Sequence, residues 1–197
     1  MLSPAFPSHM HLVFKRDIKG AVEHMVKLLS GDMIHVDMVP EEPTPSAYTS
    51  YMFECFSKNP TENIYSQETH TILYLHLTEE ENKRACDFLQ SCVDKNTPYN
   101  YSDIFRCVLP GSSLLSDISG DNYTTLFCSQ AAVLCLRKAL DPTHGLHLIV
   151  TTLNSRITTP QTLFNSLLPF CTEVESIHSK PTPIPLTTED ATPDGDS

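Results

Sequence analysis

From Leu126 to Leu140 the chain is apolar on nearly every helical face. A helix of that kind cannot sit on a surface; it belongs in the middle of a domain with other elements wrapped around it. Asp141-Pro142 ends it, because the residue before a proline is pushed out of the helical region. With 197 residues, 40% of them apolar, the chain is long enough to enclose such a helix. Upstream, Ile18, Val22, Met25, Val26 and Leu29 share one helical face, and Gly31 can close that helix in a left-handed conformation. Residues 33–39 read as a strand ending at Pro40, residues 51–56 as a second, aromatic-rich strand, and residues 70–77 as a third. Thr78 and Glu81 form a capping box ahead of the stripe Ala85, Phe88, Leu89, Cys92 and Val93, and Thr97-Pro98-Tyr99 stops that helix. Residues 146–153 read as a further strand, and Thr159-Pro160 as the cap and first turn of a helix through Leu168. Strands grouped beside helices predict an α+β fold with an antiparallel sheet. Residues 1–16 give no clear period and read as an N-terminal extension, residues 17–178 as the domain, and residues 179–197 as a disordered acidic Pro/Thr-rich tail.

The formal charge of −11, from 24 acidic and 13 basic side chains, leaves no field to hold phosphates and argues against nucleic acid as a partner. No apolar run approaches the ~20 residues needed to span a bilayer, and Met1-Leu2-Ser3-Pro4 does not open a secretion signal. No basic amphipathic helix supports membrane association either. Seven cysteines, an odd number, favour free thiols in a reducing compartment, hence a cytoplasmic protein. No close-spaced cysteine pair answers another, and the pairs His9/His11 and His144/His147 lack a nearby carboxylate or thiol, so neither metal nor cofactor is expected.

One cysteine differs by position. Cys128 sits where the polar run Thr124-Thr125 gives way to the buried helix, so either threonine can cap the helix and Cys128 falls in its first turn. There the helix start and its unpaired amides favour thiolate over thiol, and the same amides can hold an oxyanion. Cys135, seven residues on, reads as inert packing, as most free cysteines are. A thiolate nucleophile needs a base and a group that orients it. His35, a polar ring between Ile34 and Val36 in a strand, is the best base, with His76 the runner-up. Glu54, set among Met52, Phe53, Cys55 and Phe56, is the preferred orienting group, because a carboxylate there needs a partner. Asp37 is its rival, sharing a strand face with His35.

Taken in order, Gly31-Asp32-Met33-Ile34-His35-Val36, Thr97-Pro98-Tyr99-Asn100-Tyr101 and Phe127-Cys128-Ser129-Gln130 resemble the motifs of the circularly permuted papain-fold cysteine hydrolases. These are the permuted NlpC-like or YiiX-like superfamily, which includes poxvirus-type members from large DNA viruses. The likeness covers roughly residues 17–170, with Gln130 where bacterial members usually carry Glu and Asn100 where they often carry Asp. The resemblance implies an antiparallel sheet or partial barrel packed on a central nucleophile helix. It implies a Cys128–His35–Glu54 site attacking the carbonyl of a peptide, amide or acyl substrate, with Tyr99, Tyr101 and Ser129 lining the substrate pocket. It also leaves open a lipid acyl hydrolase or acyltransferase, and an inactive member kept as a viral binding or structural protein.

Overall fold

The computed structural model describes residues 8–16, 24, 27, 31–51, 54–61, 65, 68–106, 116–117 and 123–178. Six strands form one open antiparallel sheet: β1 (Ser8–Lys15), β2 (His35–Pro40), β3 (Ser46–Thr49), β4 (Ser57–Pro60), β5 (His70–Leu77) and β6 (Thr172–Val174), in the order β4-β3-β2-β1-β5-β6. The helices whose full span lies among the described residues are α1 (Glu79–Asp94), α2 (Tyr101–Arg106), α3 (Cys128–Ala139), α4 (His147–Thr152) and α5 (Pro160–Leu167), the last running into a 3-10 turn at Leu168–Phe170. The fold is therefore α+β.

Residues 1–16, expected to be an extension, contain a central strand of the sheet. β1 pairs with β2 on one side and β5 on the other, Leu12 lying opposite Met38 and Leu73. Its alternate residues Met10, Leu12 and Phe14 join the main core with Val36 and Met38 of β2 and Leu73 and Leu75 of β5. The core is completed by α1 and α3, with Val150 of α4 and Leu163, Phe164 and Leu167 of α5. Nearly every side of α3 is buried, from Cys128 and Ala131 to Leu136, which is why a helix apolar all round lies at the centre. The opposite parity of the strands builds a second, smaller cluster, Val13, Val39, Ala47 and Ile72, with Tyr65, Val174 and Ile177 packed on it.

Local signals place the helix ends. Thr78 Oγ1 accepts from the Glu81 amide at 3.1 Å, and the Thr78 amide donates to Glu81 Oε2 at 2.9 Å. Glu81 Oε1 also accepts from the Asp141 amide at 2.9 Å, so one buried carboxylate caps α1 and receives the chain leaving α3. Burial would raise the Glu81 pKa, but the Thr78 and Asp141 amides outweigh it and hold the carboxyl below its usual range. Thr78→Ala is expected to cost about 1 kcal/mol. Read by thermal melting, that is a Tm lower by about 2–4 °C; an unchanged Tm would contradict the cap. Thr159 caps α5 by accepting from the Thr162 amide at 3.1 Å, with Pro160 at the first helical position.

Three expectations need correction. The aromatic stretch 51–56 is not a strand: Tyr51 and residues 54–56 lie outside any strand, and β3 occupies Ser46–Thr49 instead. Residues 147–152 form the short helix α4, not a strand. Neither Thr124 nor Thr125 caps α3; the N-cap is Phe127, in extended backbone. Most of the helix expected over residues 18–29 lies outside the described residues. His24 and Lys27 are helical, and Gly31, at φ +105°, donates its N–H to the Lys27 carbonyl, as a left-handed helix stop does. The tail 179–197 also lies outside them. Among the described helices none is long and apolar enough to cross a membrane.

Candidate active site

The start of α3 is fixed from both sides. Just before it, Leu126 bridges Tyr99: the Leu126 amide donates to Pro98 O at 3.0 Å, and the Asn100 amide donates to Leu126 O at 3.1 Å. Ser50 Oγ, one residue past β3, donates to the same Leu126 carbonyl at 3.0 Å. Within α3, Gln130 Oε1 accepts from the Phe127 amide at 3.3 Å and from Asn100 Nδ2 at 3.1 Å. Asn100 Nδ2 also donates to Asp103, which takes a two-pronged contact from Arg156 at 2.9 Å on each oxygen. Asn100, Asp103 and Gln130 are buried. A chain of polar groups thus runs from Arg156 to the backbone immediately before Cys128. Gln130 Nε2 has no partner in this network, an orphan created by an amide whose oxygen alone is used.

His35 is the first residue of β2. The turn that delivers it is braced by α5, since Gln161 Oε1 accepts from the Met33 amide at 2.9 Å and a Cβ on Gly31 would lie 2.8 Å from Gln161 Cγ. The imidazole is 8% exposed. Its Nε2 lies 2.8 Å from Asp37 Oδ1 and 2.9 Å from Thr49 Oγ1. Asp37 Oδ2 accepts from the Tyr65 hydroxyl at 3.2 Å. Tyr51 stacks flat on the imidazole, with centroids 4.3 Å apart and planes 14° apart. The Cys128 side chain lies close enough to the same imidazole to act on its charge.

Burial alone would lower the His35 pKa. The negative charges of Cys128 and then Asp37, with the hydrogen bonds to both, outweigh it and raise the pKa to about 10. Asp37 responds in the opposite sense: burial would raise it, but the His35 charge and the bonds from His35, Thr49 and Tyr65 hold its carboxyl below the usual range. Burial and the Asp37 charge push the Tyr65 hydroxyl up, so it stays a donor. Cys128 and Cys135 are both enclosed, at 2% and 0% exposure; what separates them is the neighbour. Cys135 meets burial and the cysteines Cys92 and Cys86, which push its thiol well up, whereas Cys128 opens a helix and faces a cationic imidazole.

Of the residues expected at the site, Cys128 and His35 come together. Glu54 does not hold the ring: it is exposed, in the bend after Tyr51, and Asp37 occupies the orienting position. Glu54 would need a strand over 51–56 to reach the ring, and the chain does not form one, whereas Asp37, two residues from His35 in β2, shares its face by strand period. Ser129 is no pocket residue, for it is fully buried and its hydroxyl donates to Thr158 O at 2.7 Å. Tyr99 is buried in the bridge to Leu126, with the Tyr101 ring 5.0 Å from its own. His76 is exposed on β5. Thr49, Tyr51 and Tyr65 were not singled out from sequence. The first two lie in a short stretch with no clear alternation and come to the site through the pairing of β2 with β3, whereas Tyr65, in a polar loop, is revealed by its bond to Asp37.

Among the described residues no group of three or more His, Cys, Asp or Glu side chains is arranged to hold a metal ion. None of the described cysteines is in a disulfide. Comparison with family models, with curated proteins and with solved structures finds no match to this chain.

Proposed function

We propose that the chain is a cysteine-dependent hydrolase, a peptidase or amidase, of the permuted papain-like kind. The observation that carries the reading is one buried imidazole, fixed by Asp37 and Thr49 through Nε2 and facing Cys128 at the first position of α3. With Nε2 held by the carboxylate, Nδ1 is the nitrogen left for the sulfur. In the proposed reaction Cys128 attacks as the thiolate, and the protonated imidazole is its counter-ion.

The thiolate attacks the substrate carbonyl carbon and a C–S bond forms. The carbonyl oxygen becomes an oxyanion at the start of α3, whose first amides have no partner within the helix. The imidazolium gives its proton to the leaving nitrogen or oxygen as that bond breaks, which leaves an acyl thioester and a neutral imidazole. The imidazole then takes a proton from water, the hydroxide attacks the thioester, and the thiolate departs with the acid as product. Asp37 keeps its charge throughout, as an orienting carboxylate does.

Free thiols and the chemistry itself fit a reducing, cytoplasmic setting. The test is competitive alkylation of the folded chain with iodoacetamide, followed by peptide mass spectrometry. Cys128 is expected to label at least about tenfold faster than Cys135. Equal rates would sink the reading. Turnover of aminoacyl amides against long-chain acyl esters then divides the peptidase from the acyl-hydrolase form.

A further inference from the structure

The groups that face the His35–Asp37 pair come from three parts of the chain. Thr49 ends β3, Tyr51 lies two residues on, and Tyr65 belongs to the stretch between β4 and β5. Of these, Tyr65 meets the pair at Asp37, to which its hydroxyl donates. Its ring is anchored independently of the site. It packs on the outer cluster of Val13, Val39, Ala47 and Ile72, and meets His70 edge-on at 5.2 Å. Its hydroxyl therefore projects from a fixed apolar base onto Asp37 Oδ2, while Oδ1 takes His35 Nε2.

We propose that Tyr65 is a positioning residue of the site, acting through Asp37 on the imidazole. This rests on the hydrolase reading for its consequence in catalysis, but not for the coupling itself. A carboxylate held on one oxygen can rotate about its Cβ–Cγ bond. A donor on the second oxygen fixes the plane, and with it the direction in which Oδ1 meets Nε2. The donor also takes up part of the carboxylate charge, so the proton between Asp37 and His35 stays on the nitrogen and the imidazolium is kept for the sulfur. Thr49 acts at a different point, its Oγ1 lying 2.9 Å from His35 Nε2 itself.

The test is Tyr65→Phe in the full chain, with Tyr74→Phe, a tyrosine stacked on His9 away from Asp37, as control. Two readouts are needed. The low-field proton NMR signal of His35 Nε2–H, assigned by its absence in His35→Gln, is expected to move downfield in Y65F, as Asp37 pulls harder on the shared proton, and to stay in place in Y74F. Alkylation of Cys128 by iodoacetamide at neutral pH is expected to slow on the order of fivefold in Y65F, roughly 1 kcal/mol, while the melting curve keeps a single native transition. A ring that serves only as packing would leave the proton signal where it is, because phenylalanine keeps that packing. An unmoved signal in Y65F overturns the proposal. So does an unslowed alkylation in a chain whose wild-type Cys128 outpaces Cys135. Should wild-type Cys128 label no faster than Cys135, the hydrolase reading fails, and the proton signal alone decides whether Tyr65 sets the imidazole.

Discussion

His35→Ala is expected to slow alkylation of Cys128 at pH 7 by on the order of 10²–10³-fold, the range that one acid–base partner supplies. Alkylation of Cys135, buried in the main core near Cys92, should not change. Asp37→Asn, which keeps shape and removes charge, should cost less, about tenfold, because it weakens the imidazolium without removing it. The order of the two variants is the informative part. If Glu54→Gln slowed Cys128 more than Asp37→Asn, the orienting group would have been misassigned. The pair also leaves a signature in stability. The folded-state pKa of His35 is raised above its ordinary value of 6.5 to about 10. Its contribution is therefore fully present below about pH 6.5 and is lost as pH rises toward 10. Asp37 is shifted downward from 3.8, so its contribution is present above about pH 4 and is lost as pH falls below that. The Tm excess of the wild type over His35→Gln should thus be largest near pH 5–6 and shrink toward pH 10, followed by calorimetry across that range. An excess that grows with rising pH would contradict an imidazolium held between Cys128 and Asp37.

Where the sequence was legible, one element satisfied several local rules at once. β5 stands over the expected residues 70–77, the capping box at Thr78 and Glu81 is formed, and Thr159-Pro160 opens α5. The buried central helix followed from its lack of a polar face. β1 escaped because a central strand covered on both faces loses its alternation: Leu12, Val13 and Phe14 are all buried, two in the main core and Val13 in the outer cluster. The run at 146–153 was ambiguous for another reason, since its seven apolar or β-branched residues fit a short strand or a short helix equally well. Those errors carried into the site. Assigning a strand to 51–56 made Glu54 a buried carboxylate in need of a partner, whereas β3 ends at Thr49 and leaves Glu54 exposed. Cys128 and His35 lie near each other because a helix start and the first residue of β2 meet there, a placement that does not depend on the misread strand at 51–56. Thr49 and Tyr65 lie 14 and 30 positions beyond His35 in the chain, and only the folded sheet brings them to Asp37 and the ring.

The largest stability effect outside the apolar core should come from Asp103. Its carboxylate is 3% exposed and takes both prongs of Arg156 and one N–H of Asn100. Asp103→Ala removes an anion and leaves a guanidinium and an amide facing a partly enclosed space. Losing one partner of a fully buried pair costs about 3–5 kcal/mol. The Arg156 side chain is 26% exposed, so water recovers part of that, and about 2–3 kcal/mol is the expected loss. For a chain of this size that corresponds to a Tm lower by about 5–10 °C. The damage should also reach the thiol. Asn100 donates to Gln130 Oε1, which in turn receives the Phe127 amide, so loosening Asn100 loosens the residue that sets the first turn of α3. Cys128 alkylation measured well below the new Tm should therefore fall a further threefold or so, while Cys135 is unaffected. Asp103→Asn offers the comparison that separates the two effects. It keeps an acceptor for Asn100 and loses the charge facing Arg156, so it should recover the thiol reactivity before it recovers the stability. A D103A chain that melts within a degree of wild type would show that Arg156 finds equivalent partners. A D103A chain that is destabilised but fully reactive at Cys128 would show that the polar chain from Arg156 ends before it reaches the nucleophile.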